Sequence, residues 1–113
     1  MHKRKLGNTN IHLSSLGFGA APIGDLFENL DERSCYNILE NAFNSNFNLF
    51  DTSPFYGNGL SEHRTGNFLK TVDEESYFLS TKVGRYLTPE KNQNIDRGAW
   101  AGGLNFKLNL DYS

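Results

Sequence analysis

Between residues 16 and 83 the chain alternates short strand-like runs with helical ones, and no other feature of the sequence narrows its fold as far. Residues 16–21 are small and apolar, residues 48–52 carry Leu49 and Phe50, and residues 77–83 are rich in aromatic and β-branched side chains, so each reads as a strand. The clearest helix covers residues 31–45, where Cys35, Ile38, Leu39, Ala42 and Phe43 recur at helical spacing and form one apolar stripe for packing on a sheet. Asp31 is suited to cap that helix and Glu32 to meet its dipole, while Asn46 tolerates the left-handed turn that ends it. A second helix is predicted over residues 61–70, with Ser61 as a cap, Glu62 near its positive end, and Gly66 costing it about 1 kcal/mol. Strand, helix, strand, helix, strand implies right-handed crossovers and a parallel sheet, hence an α/β fold.

The flanks are less regular. Residues 3–15 read as a hairpin about the turn formers Gly7, Asn8, Thr9 and Asn10, with His12 an ordinary surface or packing residue in it. From Gly84 onward, Pro89, Gly98, Gly102 and Gly103 break any period, apart from a weak alternation over residues 104–110, and the stretch reads as a lid, a binding loop or disorder. The net charge is only −2, with no block of like charge, which argues against a nucleic-acid or membrane-surface partner and for a small molecule. Cys35 is the sole cysteine and belongs to the apolar stripe, so a packing role in a reducing compartment is expected. The basic start at Lys3, Arg4 and Lys5 runs into Gly7, Asn8 and Asn10 instead of an apolar export segment, and no apolar run approaches the roughly 20 residues a bilayer requires. A soluble, cytoplasmic protein is the expectation. Gly17 and Gly19 do not make a dinucleotide fingerprint, Ser53 before Pro54 makes no nucleophile elbow, and no His, Cys or acidic residues stand at metal-ligand spacing, so no metal is expected.

The chemistry concentrates in residues 48–62, NLFDTSPFYGNGLSE. Asp51 ends a buried strand, Pro54 stiffens the loop that follows, and Tyr56 precedes a Gly-Asn-Gly turn. An acid at a strand's carboxyl end, with a tyrosine on the next loop, is where an α/β barrel keeps its active site. Lys82 stands at the corresponding end of the next strand, so adjacent parallel strands would bring Asp51 and Lys82 to one rim. Reduction of a carbonyl needs a proton donor near its oxygen, and tyrosine, with an ordinary pKa near 10, is a poor one at neutral pH. A neighbouring lysine ammonium would stabilise the phenolate and lower that pKa, and an aspartate would hold the ammonium in place.

The segment FDTSPFYGNGLSE resembles the FDTAxxYGxxxxE signature of the aldo-keto reductases, with LGFGAAPIG before it and FLSTKVG after it in the family's order. The resemblance implies that residues 1–113 are one partial domain, the amino-terminal portion of a TIM (β/α)8 barrel truncated at the carboxyl end, with the hairpin closing the barrel's bottom and about three parallel strands present. A whole barrel takes about 250 residues. It further implies an NAD(P)-dependent oxidoreductase interconverting a carbonyl and an alcohol, with Tyr56 as general acid/base, Lys82 lowering its pKa and Asp51 holding Lys82. Gly19, Ala20, Ala21 and Asp51 would meet the nicotinamide end of the cofactor, and Phe55 and Trp100 would wall the substrate pocket. NADP and NAD both stay open, because the family reads the rest of the cofactor with later strands, which also supply an active-site histidine; His2, His12 and His63 do not take that role. The segments AGGLNF and DYS are similar to the sub-group acting on fucose, galactose, threo-aldoses or pyridoxal. The alternative is an inactive fragment or interaction module, since three parallel strands leave both sheet edges open.

Overall fold

A computed structural model describes residues 1–89 and 106–110, with side chains through residue 84. At the start, β1 (Lys3–Lys5) and β2 (His12–Ser14) pair antiparallel, Lys3 opposite Ser14, and Gly7 takes a positive φ of 50° in the turn between them. The predicted hairpin therefore forms. Asn48 fastens it to the sheet: its Oδ1 accepts from the Ser14 amide at 2.7 Å, its Nδ2 donates to the His12 carbonyl at 2.9 Å, and its own amide donates to Ser14 Oγ at 3.0 Å.

Three strands follow in a parallel sheet of order β3-β4-β5: β3 (Phe18–Gly19), β4 (Leu49–Asp51) and β5 (Phe78–Ser80). Each is shorter than its apolar run. The register sets Phe18 beside Phe50 beside Leu79, and Gly19 beside Asp51 beside Ser80. Because side chains alternate along a strand, these are opposite faces. Phe50 is fully buried on the helical side, its ring 5.8 Å from that of Phe18 and 6.4 Å from that of Phe68.

Helix α1 (Glu32–Asn44) is capped by Asp31, whose side chain accepts from the Ser34 amide at 2.7 Å, and it ends at Asn46 with φ 66°. Cys35, Leu39 and Ala42 are buried and Phe43 packs partly against the same core, whereas Ile38 is 38% exposed. The buried stripe is thus narrower than the sequence period suggests, since Ile38 lies off the line joining Cys35, Leu39 and Ala42. Burial pushes the Cys35 thiol above its usual pKa, consistent with a packing role. Helix α2 (Leu60–Leu69) departs from expectation at its start: Gly59, at φ 94°, is the cap, and Ser61 is fully buried inside the helix. Ser61 Oγ donates to the Ala20 carbonyl at 2.7 Å; its one proton so used, it accepts from Thr52 Oγ1 at 2.8 Å. The cap position lies just outside the helix in non-helical conformation, and here the left-handed Gly59 takes it, leaving Ser61 within the first turn.

Arg64 is the largest feature the sequence pattern conceals. Its guanidinium is buried and donates to Asp25 Oδ1 and Glu32 Oε1, both at 2.8 Å, to the Ile23 carbonyl at 2.8 Å and to the Leu30 carbonyl at 2.7 Å. These bonds pin the connection between β3 and α1, including a 3-10 turn at Pro22–Gly24, onto α2. Burial opposes its charge, but the bonds to Asp25 and Glu32 outweigh that and raise its pKa.

Beyond residue 84 the structure corrects the expectation of a patternless loop. β6 (Arg85–Pro89) pairs antiparallel with β7 (Phe106–Leu110), Arg85 opposite Leu110 and Pro89 opposite Phe106. The weak alternation anticipated the second of these, while Pro89 disguised the first, proline being tolerated only where a strand amide is not needed. Among the described residues no helix is long and apolar enough to cross a membrane. Replacing Arg64 by Met removes the cation from a buried network and leaves the Asp25 carboxylate, only 9% exposed, without its partner, while Glu32, 67% exposed, turns to water. A loss of about 3–5 kcal/mol is expected in a denaturant titration, and a loss below 1 kcal/mol would contradict this role.

Candidate active site

The rim of the sheet is assembled from consecutive strand ends. Asp51 is the last residue of β4 and its carboxylate lies on the face shared with Gly19 and Ser80. One oxygen, Oδ1, accepts from Ser80 Oγ at 2.7 Å; the other, Oδ2, accepts from Lys82 Nζ at 2.9 Å. Lys82 lies two residues past β5, and its ammonium takes a second acceptor, the Thr52 carbonyl, at 2.9 Å. The pair is partly open to solvent, with side-chain exposures of 48% for Lys82 and 41% for Asp51.

Burial pushes the Asp51 carboxyl up, but the hydrogen bonds from Lys82 and Ser80, with the lysine's charge, outweigh it and leave Asp51 below its usual value. Lys82 is held above its usual value, chiefly by the bond to Asp51 against the cost of burial, with the Tyr56 side chain adding to the rise. Both groups are therefore charged at neutral pH.

Tyr56 reaches this pair from the loop after β4, its ring centroid 4.9 Å from Lys82 Nζ. The loop is folded on itself: the Tyr56 amide donates to the Ser53 carbonyl at 3.1 Å, the Gly59 amide to the Pro54 carbonyl at 3.0 Å, and the Ser61 amide to the Tyr56 carbonyl at 3.1 Å. Gly57, Asn58 and Gly59 all have positive φ, at 68°, 52° and 94°. Gly24 backs the loop closely: a Cβ there would stand 2.6 Å from the Tyr56 carbonyl oxygen, so only glycine permits this approach. Ser53, Pro54, Phe55, Tyr56, Lys82 and Val83 line a cleft of about 280 Å³.

The structure thus brings Asp51, Tyr56 and Lys82 together and sets Phe55 in the adjoining cleft. Gly19 is exposed beside Asp51, with no atom within 4 Å of where a Cβ would be, and Ala21 is half-buried. Ala20 is different: it is fully buried, its amide donates to the Asp51 carbonyl at 2.8 Å and its carbonyl is taken by Ser61, so it offers a ligand no surface. Trp100 lies outside the described residues. Glu62, in the first turn of α2, does more than complement the dipole, since its Oε1 accepts from Thr81 Oγ1 at 2.7 Å and ties α2 to the loop bearing Lys82. Sequence reasoning passed over Ser80, Thr52 and Gly24; of these only Ser80 left a signal, a polar residue two places before Lys82 where alternation puts it on the rim.

Residues 15–104 match the aldo/keto reductase family model. The chain is 38% identical to pyridoxal 4-dehydrogenase of Microbacterium luteolum, a match covering 98% of this chain and 35% of that protein. It is 44% identical to L-galactose dehydrogenase of Arabidopsis thaliana over 74% of this chain and 27% of that protein. An aldo-keto reductase structure from Bacillus halodurans, in its holo form, superposes with a TM-score of 0.66 at 32% identity, covering 85% of this chain and 29% of that one. The matches span between about a quarter and a third of the length of these curated relatives. With the family model covering most of its length and the parallel strands in place, the chain belongs to the aldo/keto reductase family, and its fold is the amino-terminal part of that family's (β/α)8 barrel.

Proposed function

We propose that these residues serve an NAD(P)-dependent oxidoreductase that interconverts a carbonyl and an alcohol, with Tyr56 as the general acid/base. The observation that carries this reading is the lysine ammonium bonded to Asp51 at 2.9 Å and standing 4.9 Å from the Tyr56 ring. In the reducing direction the Tyr56 hydroxyl gives its proton to the carbonyl oxygen as charge builds there, and in the oxidising direction it takes the proton back. The Lys82 ammonium stabilises the phenolate left behind, and Asp51 with the Thr52 carbonyl keeps that ammonium at the rim. When bound, the nicotinamide cofactor supplies or accepts the hydride. The rim fits its nicotinamide end: Gly19 presents bare backbone beside the Asp51 carboxylate, open enough for a flat ring to lie close. Gly19, Ala21 and Asp51 are the residues proposed to hold it, with NADP and NAD both compatible.

A sugar or other small carbonyl compound is the proposed substrate class, supported by the names of the two relatives, a pyridoxal and an L-galactose dehydrogenase. Phe55 would give the cleft an apolar wall. A soluble, cytoplasmic setting suits such a substrate. A second reading, that this stretch acts only as an inactive interaction module, is favoured by the open edge of the sheet at β5, where Leu79 is 53% exposed.

Within a complete barrel carrying these residues, assayed with aldoses and pyridoxal by the loss of reduced-nicotinamide absorbance, turnover is expected and Tyr56→Phe should lower kcat about 10²–10⁴-fold with little change in KM. Turnover unaffected by Tyr56→Phe would sink the acid/base assignment, and its absence in the parent protein would favour the second reading. The ion pair also sets a pH signature. Asp51 sits below its usual 3.8, so its stabilising contribution is complete above that value and is lost as pH falls through the lower folded value. Lys82 sits above its usual 10.5, so its contribution is complete below 10.5 and is lost as pH rises through the higher folded value. The stability gap between parent and Asp51→Asn, no more than about 1 kcal/mol for so exposed a pair, should hold level from about pH 5 to 9 and close toward pH 2. A gap that widened on acidification would contradict the assignment.

A further inference from the structure

Ser80 is the last residue of β5 and stands directly opposite Asp51 in the parallel register, on the open face of the sheet. Its hydroxyl donates to Asp51 Oδ1 at 2.7 Å, and a carboxylate with one oxygen so occupied presents the other, Oδ2, to Lys82 at 2.9 Å. The terminal torsion of an aspartate is broad and roughly two-fold, so a carboxylate with 41% side-chain exposure would otherwise exchange its oxygens and turn partly toward water. Ser80 also acts through its backbone: its carbonyl accepts from the Thr52 amide at 2.8 Å, extending the ladder one step past Asp51. Thr52 supplies the second acceptor of the Lys82 ammonium. Both acceptors of that ammonium are therefore referred to one residue, Asp51 by the side chain of Ser80 and Thr52 by its carbonyl.

We propose that Ser80 is a positioning residue, its hydroxyl locking the Asp51 carboxylate so that Oδ2 places the Lys82 ammonium beside Tyr56. The proposal rests on the acid/base reading above, but the hold on Asp51 is measurable without turnover. The hydroxyl acts on Tyr56 through Asp51 and Lys82. Lys82 is the charged group bonded to this carboxylate, with the titratable Tyr56 on the far side of the ammonium.

The test compares the parent chain with Ser80→Ala and Ser80→Thr, following the side-chain carboxyl carbon of Asp51 by NMR across a pH titration, with Asp51→Asn to assign the resonance. Ser80→Ala should raise the Asp51 midpoint by about half a pH unit, with an unchanged thermal melting midpoint, and Ser80→Thr, which keeps the hydroxyl, should restore it. Under turnover, Ser80→Ala should lower kcat about tenfold with KM little changed, and Ser80→Thr should recover it. An Asp51 titration unmoved by Ser80→Ala, or moved equally by Ser80→Thr, overturns the proposal. The expected NMR shifts in a protein that reduces no carbonyl would uphold the hold on Asp51 while removing the acid/base reading.

Discussion

The buried Arg64 guanidinium is the contact on which the rest of the arrangement depends. It reaches from α2 to the Ile23 carbonyl and the Asp25 carboxylate, the residues on either side of Gly24, and fixes that turn in place. Gly24 is in turn the backbone against which the Tyr56 carbonyl rests. The position of the tyrosine is thus transmitted from a charge on the outer side of the sheet through one tight glycine contact. Four hydrogen bonds and two carboxylates make that buried charge tolerable, and removing any partner would leave it costly. Asp25 accepts the left-handed conformation, at φ 60°, that the same turn demands.

Register does the remaining work. Parallel pairing lines up Gly19, Asp51 and Ser80, so a bare backbone, a carboxylate and a hydroxyl share one rim. Lys82 then needs to bend back only two residues past the end of β5 to reach Asp51 and Thr52. A slip of one residue would turn Asp51 toward the helices and bring Phe50 to the rim, exchanging the site for a core side chain. Full burial of Phe50 against Phe18 and Phe68 is what forbids the slip. Packing on one face of the sheet therefore secures chemistry on the other.

Much of this was legible in the sequence because it obeys short-range rules. The period of α1, the Asp31 cap, the turn at Asn46 and the approach of Asp51 and Lys82 follow from spacing and strand order, while Tyr56 joined that pair through the family signature. What escaped is long-range. Nothing local marks Arg64, on the predicted second helix, as the residue the turn after β3 folds over, nor Asn48, within the predicted strand, as the amide on which the hairpin docks. Ser61 carries the signature of a cap but is drawn inward because Gly59 already turns the chain. Ala20, expected near the cofactor, is instead sealed by Ser61 and the Asp51 backbone. The strand at Arg85–Pro89 stayed hidden because its partner lies across a long connection and its own sequence ends in proline.

The central claim is that the Lys82 ammonium, held by Asp51, enables Tyr56 to move a proton. Its most direct test is chemical rescue: Lys82→Ala assayed for carbonyl reduction with and without an added small alkylamine. Turnover lower by about 10²-fold or more, partly restored in a saturable way by the protonated amine, is the predicted result. A Lys82→Ala protein that reduces its substrate as fast as the parent, with no response to amine, would contradict it.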